Sequence, residues 1–77
     1  MRRVILPQDT RTFQRVTEGG TQLSRTGKLV PAGVNLVVSE PMTMVYDHRE
    51  QLAVYFRDAG EEFFLIVSEM EVAGFVH

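Results

Sequence analysis

Apolar and polar residues alternate with a period of two along much of this chain, and breaker residues divide it into short pieces. Arg3–Leu6 is an apolar run stopped by Pro7, and Thr10–Thr17 alternates around Phe13 and Val16. Glu18-Gly19-Gly20-Thr21 reads as a turn, because paired glycines supply the positive φ that hairpins need. Thr21–Arg25 returns from it, Thr26-Gly27 breaks the chain, and Lys28–Val30 is a short piece before the turn Pro31-Ala32-Gly33. Val34–Ser39 and Met42–Tyr46 alternate more cleanly, with Glu40-Pro41 between them. Phe63–Val67 is apolar on both faces, which marks a central strand within Glu62–Ser68. Ser68–Glu71 reads as a single tight turn, with a possible 3₁₀ turn near 69–71, and Val72–Val76 as a last strand.

Residues 47–60 carry two patterns. As a helix at 48–59, Asp47 is the N-cap, Glu50 completes a capping box and Gly60 is the C′ residue. Leu52, Tyr55, Phe56 and Ala59 then share one helical face. As a strand, Leu52, Val54 and Phe56 line one face, and Asp58-Ala59-Gly60 becomes a three-residue hairpin loop. The hairpin is preferred, because the central strand that follows needs a partner. The expected fold is one small all-β domain over 1–77: an antiparallel, partly open barrel. An α+β fold with the 48–59 helix is the alternative.

Composition supports the β reading. Val, Ile, Thr, Phe and Tyr are abundant, while Ala occurs four times and Lys once. At 77 residues the core is small, and with no Cys no disulfide can brace it. The absence of Cys also excludes thiol catalysis and thiolate metal sites. The longest apolar run is far shorter than a membrane span, and the start is too short for a signal peptide. A cytoplasmic protein is therefore expected, with no membrane association.

The order of elements over 42–77 resembles the Tudor-like small barrels of the Src-homology-3 type. The likeness is carried by Leu52–Phe56, Asp58-Ala59-Gly60, Phe63–Val67 and Ser68–Glu71. It implies a small barrel whose members bind proline-rich peptides or methylated side chains through an aromatic cluster, often with Trp. This chain has no Trp, and Tyr46 and Tyr55 are its candidate aromatic edge. Leu23–Pro31 is also similar to the opening of swapped-hairpin transition-state regulators, which bind DNA as dimers. The basic residue that these carry soon after the proline is absent here.

Candidate chemistry is sparse. No serine lies in a nucleophile elbow, and the spacing of a phosphate-binding loop is missing. Asp47-His48 reads as a surface turn. The carboxylates Glu61, Glu62, Glu69 and Glu71 read as solvated rim charge. Neither a catalytic residue, a metal nor a cofactor is expected. Met42, Met44 and Met70 read as core, with an adaptable contact surface as the other use.

Charge is uneven along the chain. Residues 1–39 hold six basic and two acidic side chains, and residues 40–77 hold two basic and eight acidic, so +4 and −6 sum to the net −2. Such a dipole suits an oriented partner or self-association. The expectation is a non-catalytic protein-interaction module: a small adaptor, inhibitor or accessory subunit. It would bind another protein or its own copy, as a possible homo-oligomer, with Tyr46, Tyr55, Glu61, Glu62 and Glu69 as contacts. The alternative is a nucleic-acid-binding barrel using Arg11, Phe13, Arg15, Arg25 and Lys28, with the ring of Phe13 stacking between two cations.

Overall fold

The structure is a computed structural model, and it describes residues 1–72. Among the described residues seven strands form: β1 (Arg2–Ile5), β2 (Thr10–Arg15), β3 (Leu23–Val30), β4 (Asn35–Val38), β5 (Met42–Tyr46), β6 (Arg49–Asp58) and β7 (Glu61–Ile66). One helical turn, α1 (Val67–Met70), follows them. The fold is all-β, with two antiparallel sheets: a ribbon β1-β4 and a five-stranded sheet in the order β3-β2-β7-β6-β5.

The 48–59 segment is strand, not helix. Val54 and Phe56 each find a cross-strand partner on β7, Leu65 and Phe63. A helix would strand the apolar β7 without that partner, so tertiary pairing overrides the capping signals. Asp47 caps nothing: it forms a tight turn with His48 between Tyr46 and Arg49, both turn residues at positive φ (53° and 63°). The β6–β7 connection is also tighter than a three-residue loop. Asp58 pairs with Glu61, leaving Ala59 (φ 53°) and Gly60 (φ 81°) as a two-residue turn of the type I′ kind. Glycine adopts that conformation freely, but alanine does not. Ala59→Asn is therefore expected to stabilise the domain by about 0.5–1 kcal/mol, read from the urea midpoint, because asparagine tolerates the left-handed region.

The break expected at Thr26-Gly27 is a bulge within one continuous strand. Arg11 pairs with Leu29 and Phe13 with Arg25, so β3 spends more residues than β2 over the same stretch. Gly27, at φ 85°, accommodates the excess. Three hydrogen bonds lock the bulge. The Lys28 N–H donates to Thr26 Oγ1 (3.0 Å), and the Thr26 hydroxyl lies 2.6 Å from Thr12 Oγ1. The buried Thr12 hydroxyl donates to the Lys28 carbonyl (2.9 Å).

Two apolar clusters lie on opposite faces of the five-stranded sheet. Phe13, Leu23, Met44, Ala53, Phe64 and Ile66 form one, so every strand of the sheet contributes to it. A flat sheet would separate β2 from β5 by about 14 Å. The rings of Phe13 and Tyr46 are nevertheless 4.7 Å apart, so the sheet curls around this cluster. Its edges approach one another at a parallel bridge between Gln22, just before β3, and Val45, but the barrel does not close.

The second cluster contains Val30, Val54, Phe56, Phe63 and Leu65 from the five-stranded sheet. Val4, Leu6 and Val38 of the β1–β4 region cover them, with Val67 and Met70 of α1. Ser39 joins the layers. Its N–H donates to the Tyr55 carbonyl and its Oγ accepts from the Tyr55 N–H, each at 2.9 Å. Met44 and Met70 are buried and Met42 is half-buried. The 69–71 segment lies in and just beyond an α-helical turn rather than a 3₁₀ turn. The last strand expected at Val72–Val76 falls almost entirely outside the described residues, as does His77. Among the described residues, no helix is long and apolar enough to cross a membrane.

Candidate interaction surface

The charges that are far apart in sequence meet in space. Basic residues of β2 and β3 meet acidic partners on β7, α1 and the end of β6, and Arg2 of β1 meets Glu40. Arg11 makes a forked pair with Glu69, Nε to Oε1 at 2.9 Å and an Nη to Oε2 at 2.7 Å. Arg15 donates from Nε to Glu62 Oε1 at 3.0 Å, and from an Nη to the Gly20 carbonyl. Lys28 Nζ lies 2.6 Å from Asp58 Oδ2. Arg2 Nε lies 3.7 Å from Glu40. Hydrogen bonding to Glu69 is the main reason that the Arg11 guanidinium holds its proton more tightly than an isolated arginine. Hydrogen bonding to Lys28, and then its charge, hold the Asp58 carboxyl below its ordinary range.

These pairs bring both candidate sets together. The Arg11 guanidinium lies over the rings of Phe13 (5.1 Å) and Tyr46 (5.4 Å). Arg15 lies over Phe64 (5.0 Å), whose ring centroid is 6.0 Å from that of Tyr55. Tyr46 and Tyr55 are half-buried against the curled cluster, so only part of each ring faces solvent. Glu62 and Glu69 hold Arg15 and Arg11, whereas Glu61 is exposed at the β6–β7 turn. Of the nucleic-acid candidates, Phe13 is fully buried and offers no face for a base to stack on. Arg11, Arg15 and Lys28 are each bound to a carboxylate, and Arg25 is exposed on β3.

A different feature has the shape of a binding site. An apolar groove of about 220 Å³ runs between the β3–β4 turn and the tip of the β6–β7 hairpin. Val30, Pro31, Val34, Leu36 and Phe56 line it, together with Leu29, Lys28, Arg57 and Asp58. Hydrogen bonds tie the turn to the connection between β1 and β2. The Ala32 N–H donates to Asp9 Oδ1 (2.9 Å), and the Gly33 N–H to the Leu6 carbonyl (3.0 Å). Leu29 and Val34 are exposed beside the groove. Lys28 alone among these residues was a candidate by sequence. The usable signal was the Pro31-Ala32-Gly33 turn between two apolar segments, which read only as punctuation.

A second, larger hollow of about 440 Å³ is polar and lined by Gln8, Asp9, Thr10, Arg11, Glu69 and Glu71, among others. Its charged groups are largely engaged with one another: Arg11 with Glu69, and Gln8 with Glu71. Among the described residues, no group of three His, Cys, Asp or Glu side chains converges as a metal site. The chain matches no protein-family model, no curated protein and no solved structure.

Proposed function

We propose that this domain is a non-catalytic protein-interaction module, and that it holds an extended segment of a partner protein in the groove beside the β3–β4 turn. The observation that carries this reading is the groove itself: an exposed apolar concavity beside a turn that hydrogen bonds tie to the β1–β2 connection. Its volume of about 220 Å³ suits one or two apolar side chains. The likeness to the Src-homology-3-type barrels belongs to this proposal. Its support is the meander β5-β6-β7 followed at once by the one-turn helix.

The test is selection of a displayed random-peptide library on the immobilised domain, followed by affinity measurement with synthetic copies of the selected peptides. Peptides with an apolar anchor are expected. Val34→Gln is expected to weaken them by about tenfold, equivalent to about 1.4 kcal/mol. Val34 is more than a third exposed, so this substitution leaves the fold intact. Failure to select peptides, or equal binding by Val34→Gln, overturns the reading. So does tight binding of a single-stranded oligonucleotide whose salt dependence flattens in Arg25→Ala, which places nucleic acid on β3 instead.

A further inference from the structure

Strand β6 outruns the neighbours that cover its outer edge. Strand β5 pairs with it from Arg49 to Ala53. Ser39 then takes both main-chain groups of Tyr55: its N–H donates to the Tyr55 carbonyl, and its Oγ accepts from the Tyr55 N–H. The main-chain groups of Tyr55 are therefore directed away from β7. Main-chain direction alternates along a strand, so the N–H and C=O of Arg57, two residues on, are directed to the same side. Among the described residues, Arg57 lies opposite Glu62 of β7 on its other side, and no strand meets it on this one. Strand β4 comes no nearer than this, because it belongs to the other sheet and pairs with β1. The uncovered edge borders the groove. Phe56 enters one apolar cluster and Tyr55 the cluster on the opposite face, so by alternation the Arg57 side chain leaves on the face of Tyr55. What Arg57 presents to the groove, between Phe56 and Asp58, is its main chain. One unpaired donor and one unpaired acceptor thus run beside an apolar concavity lined by Val34, Leu36 and Phe56.

We infer that the groove's occupant binds as an added β-strand, exchanging two main-chain hydrogen bonds with Arg57 where Ser39 serves Tyr55. Hydrogen-bonding complementarity selects this occupant: an uncovered strand edge fits an extended chain, which offers an acceptor and a donor at matching spacing. The segment runs antiparallel to β6, as both strands already paired with β6 do. Its residue opposite Arg57 then shares the Arg57 face of the sheet, and the residue next to it turns its side chain into the groove. This inference rests on the groove being the binding site, and it adds the class of partner: an extended segment with an apolar residue beside a residue that keeps its N–H. A run of prolines does not fit, because proline has no N–H to give the Arg57 carbonyl.

The experiment uses one peptide selected on the domain, and copies of it N-methylated at one residue each. Amide exchange in the full native chain is followed by nuclear magnetic resonance with and without saturating peptide. The Arg57 amide is expected to exchange freely in the unbound chain and about tenfold or more slowly in the complex. Methylation of the peptide residue opposite Arg57 is expected to weaken binding by about tenfold, and methylation of the neighbouring anchor by less than about twofold. Arg57→Ala is expected to bind as the native chain does, and Arg57→Pro to lose about tenfold, since proline removes the donor but no bond to β7. An Arg57 amide that exchanges equally fast in the complex overturns the inference. So does a peptide indifferent to methylation at every position, or selection of consecutive prolines. Amide exchange and the methylated peptides use the native chain, so they decide the matter even where thermal unfolding shows that Arg57→Pro has lost its fold. The underlying groove reading fails differently: Val34→Gln would then bind the unmethylated peptide as tightly as the native chain.

Discussion

Phe64→Ala is expected to destabilise the domain by about 3–5 kcal/mol. Phe64 is fully buried at the centre of the curled cluster, packed among Phe13, Leu23, Met44, Ala53 and Ile66. It also sits at the one register pair joining β2 to β7, opposite Phe13. Removing a buried Phe side chain costs about 3–5 kcal/mol, because the cavity relaxes only in part. A domain of 77 residues has a total stability of roughly 4–12 kcal/mol. The loss is therefore comparable with the whole margin at its lower end. Urea unfolding followed by near-ultraviolet circular dichroism checks this. Val16→Ala, at a position 53% exposed, is the control and is expected to fall within about 0.5 kcal/mol of the native chain. A Phe64→Ala chain within 1 kcal/mol of native would mean that the curled sheet is not the main core.

Met70→Ala is expected to cost about 2–5 kcal/mol. Four residues are too few for a helix to stand alone, since nucleation exceeds the return from so few hydrogen bonds. The N-cap residue Ile66 makes no side-chain capping bond, so no cap compensates. Two buried side chains, Val67 and Met70, therefore hold α1 in place. The Arg11–Glu69 pair is the competing explanation. Its side chains are about a third exposed (34% and 31%), and such a pair contributes at most about 1 kcal/mol. Hence Met70→Ala is expected to exceed Glu69→Gln by severalfold, and amide exchange in α1 to rise further than elsewhere. Equal effects would assign the anchoring to the ion pair.

How much was readable from the sequence depends on whether a signal is local. Phe63–Val67 reads as a central strand because apolarity on both faces demands two covered faces, and Phe63/Leu65 and Phe64/Ile66 do enter the two opposite clusters. Gly60 and Gly33 mark turns because glycine's backbone freedom is a property of the residue alone. The 47–60 segment shows the limit. Its capping box and helical spacing were locally complete, yet β7 supplies partners that a helix would forgo. The same holds for Thr26-Gly27, where a break and a bulge look alike until β2 is laid beside β3.

The candidate site was less legible. Glu62 and Glu69 were read as one surface and Arg11 and Arg15 as another, because charge along a chain says nothing about which strand lies next to which. The groove was missed for a related reason. Val34, Leu36 and Phe56 look like ordinary inward-facing positions until the β3–β4 turn and the β6–β7 hairpin are seen to flank one groove.

By itself, the order of residues determined the all-β class, the central strand and the positions of most turns. Those follow from period-two alternation and from backbone preferences that act over a few residues. Only the tertiary structure decided the curl that buries Phe13 against Tyr46, the meeting of the basic first half with the acidic second half, and the groove. Each of these depends on contacts between residues tens of positions apart, whose energy exists only once the strands are paired.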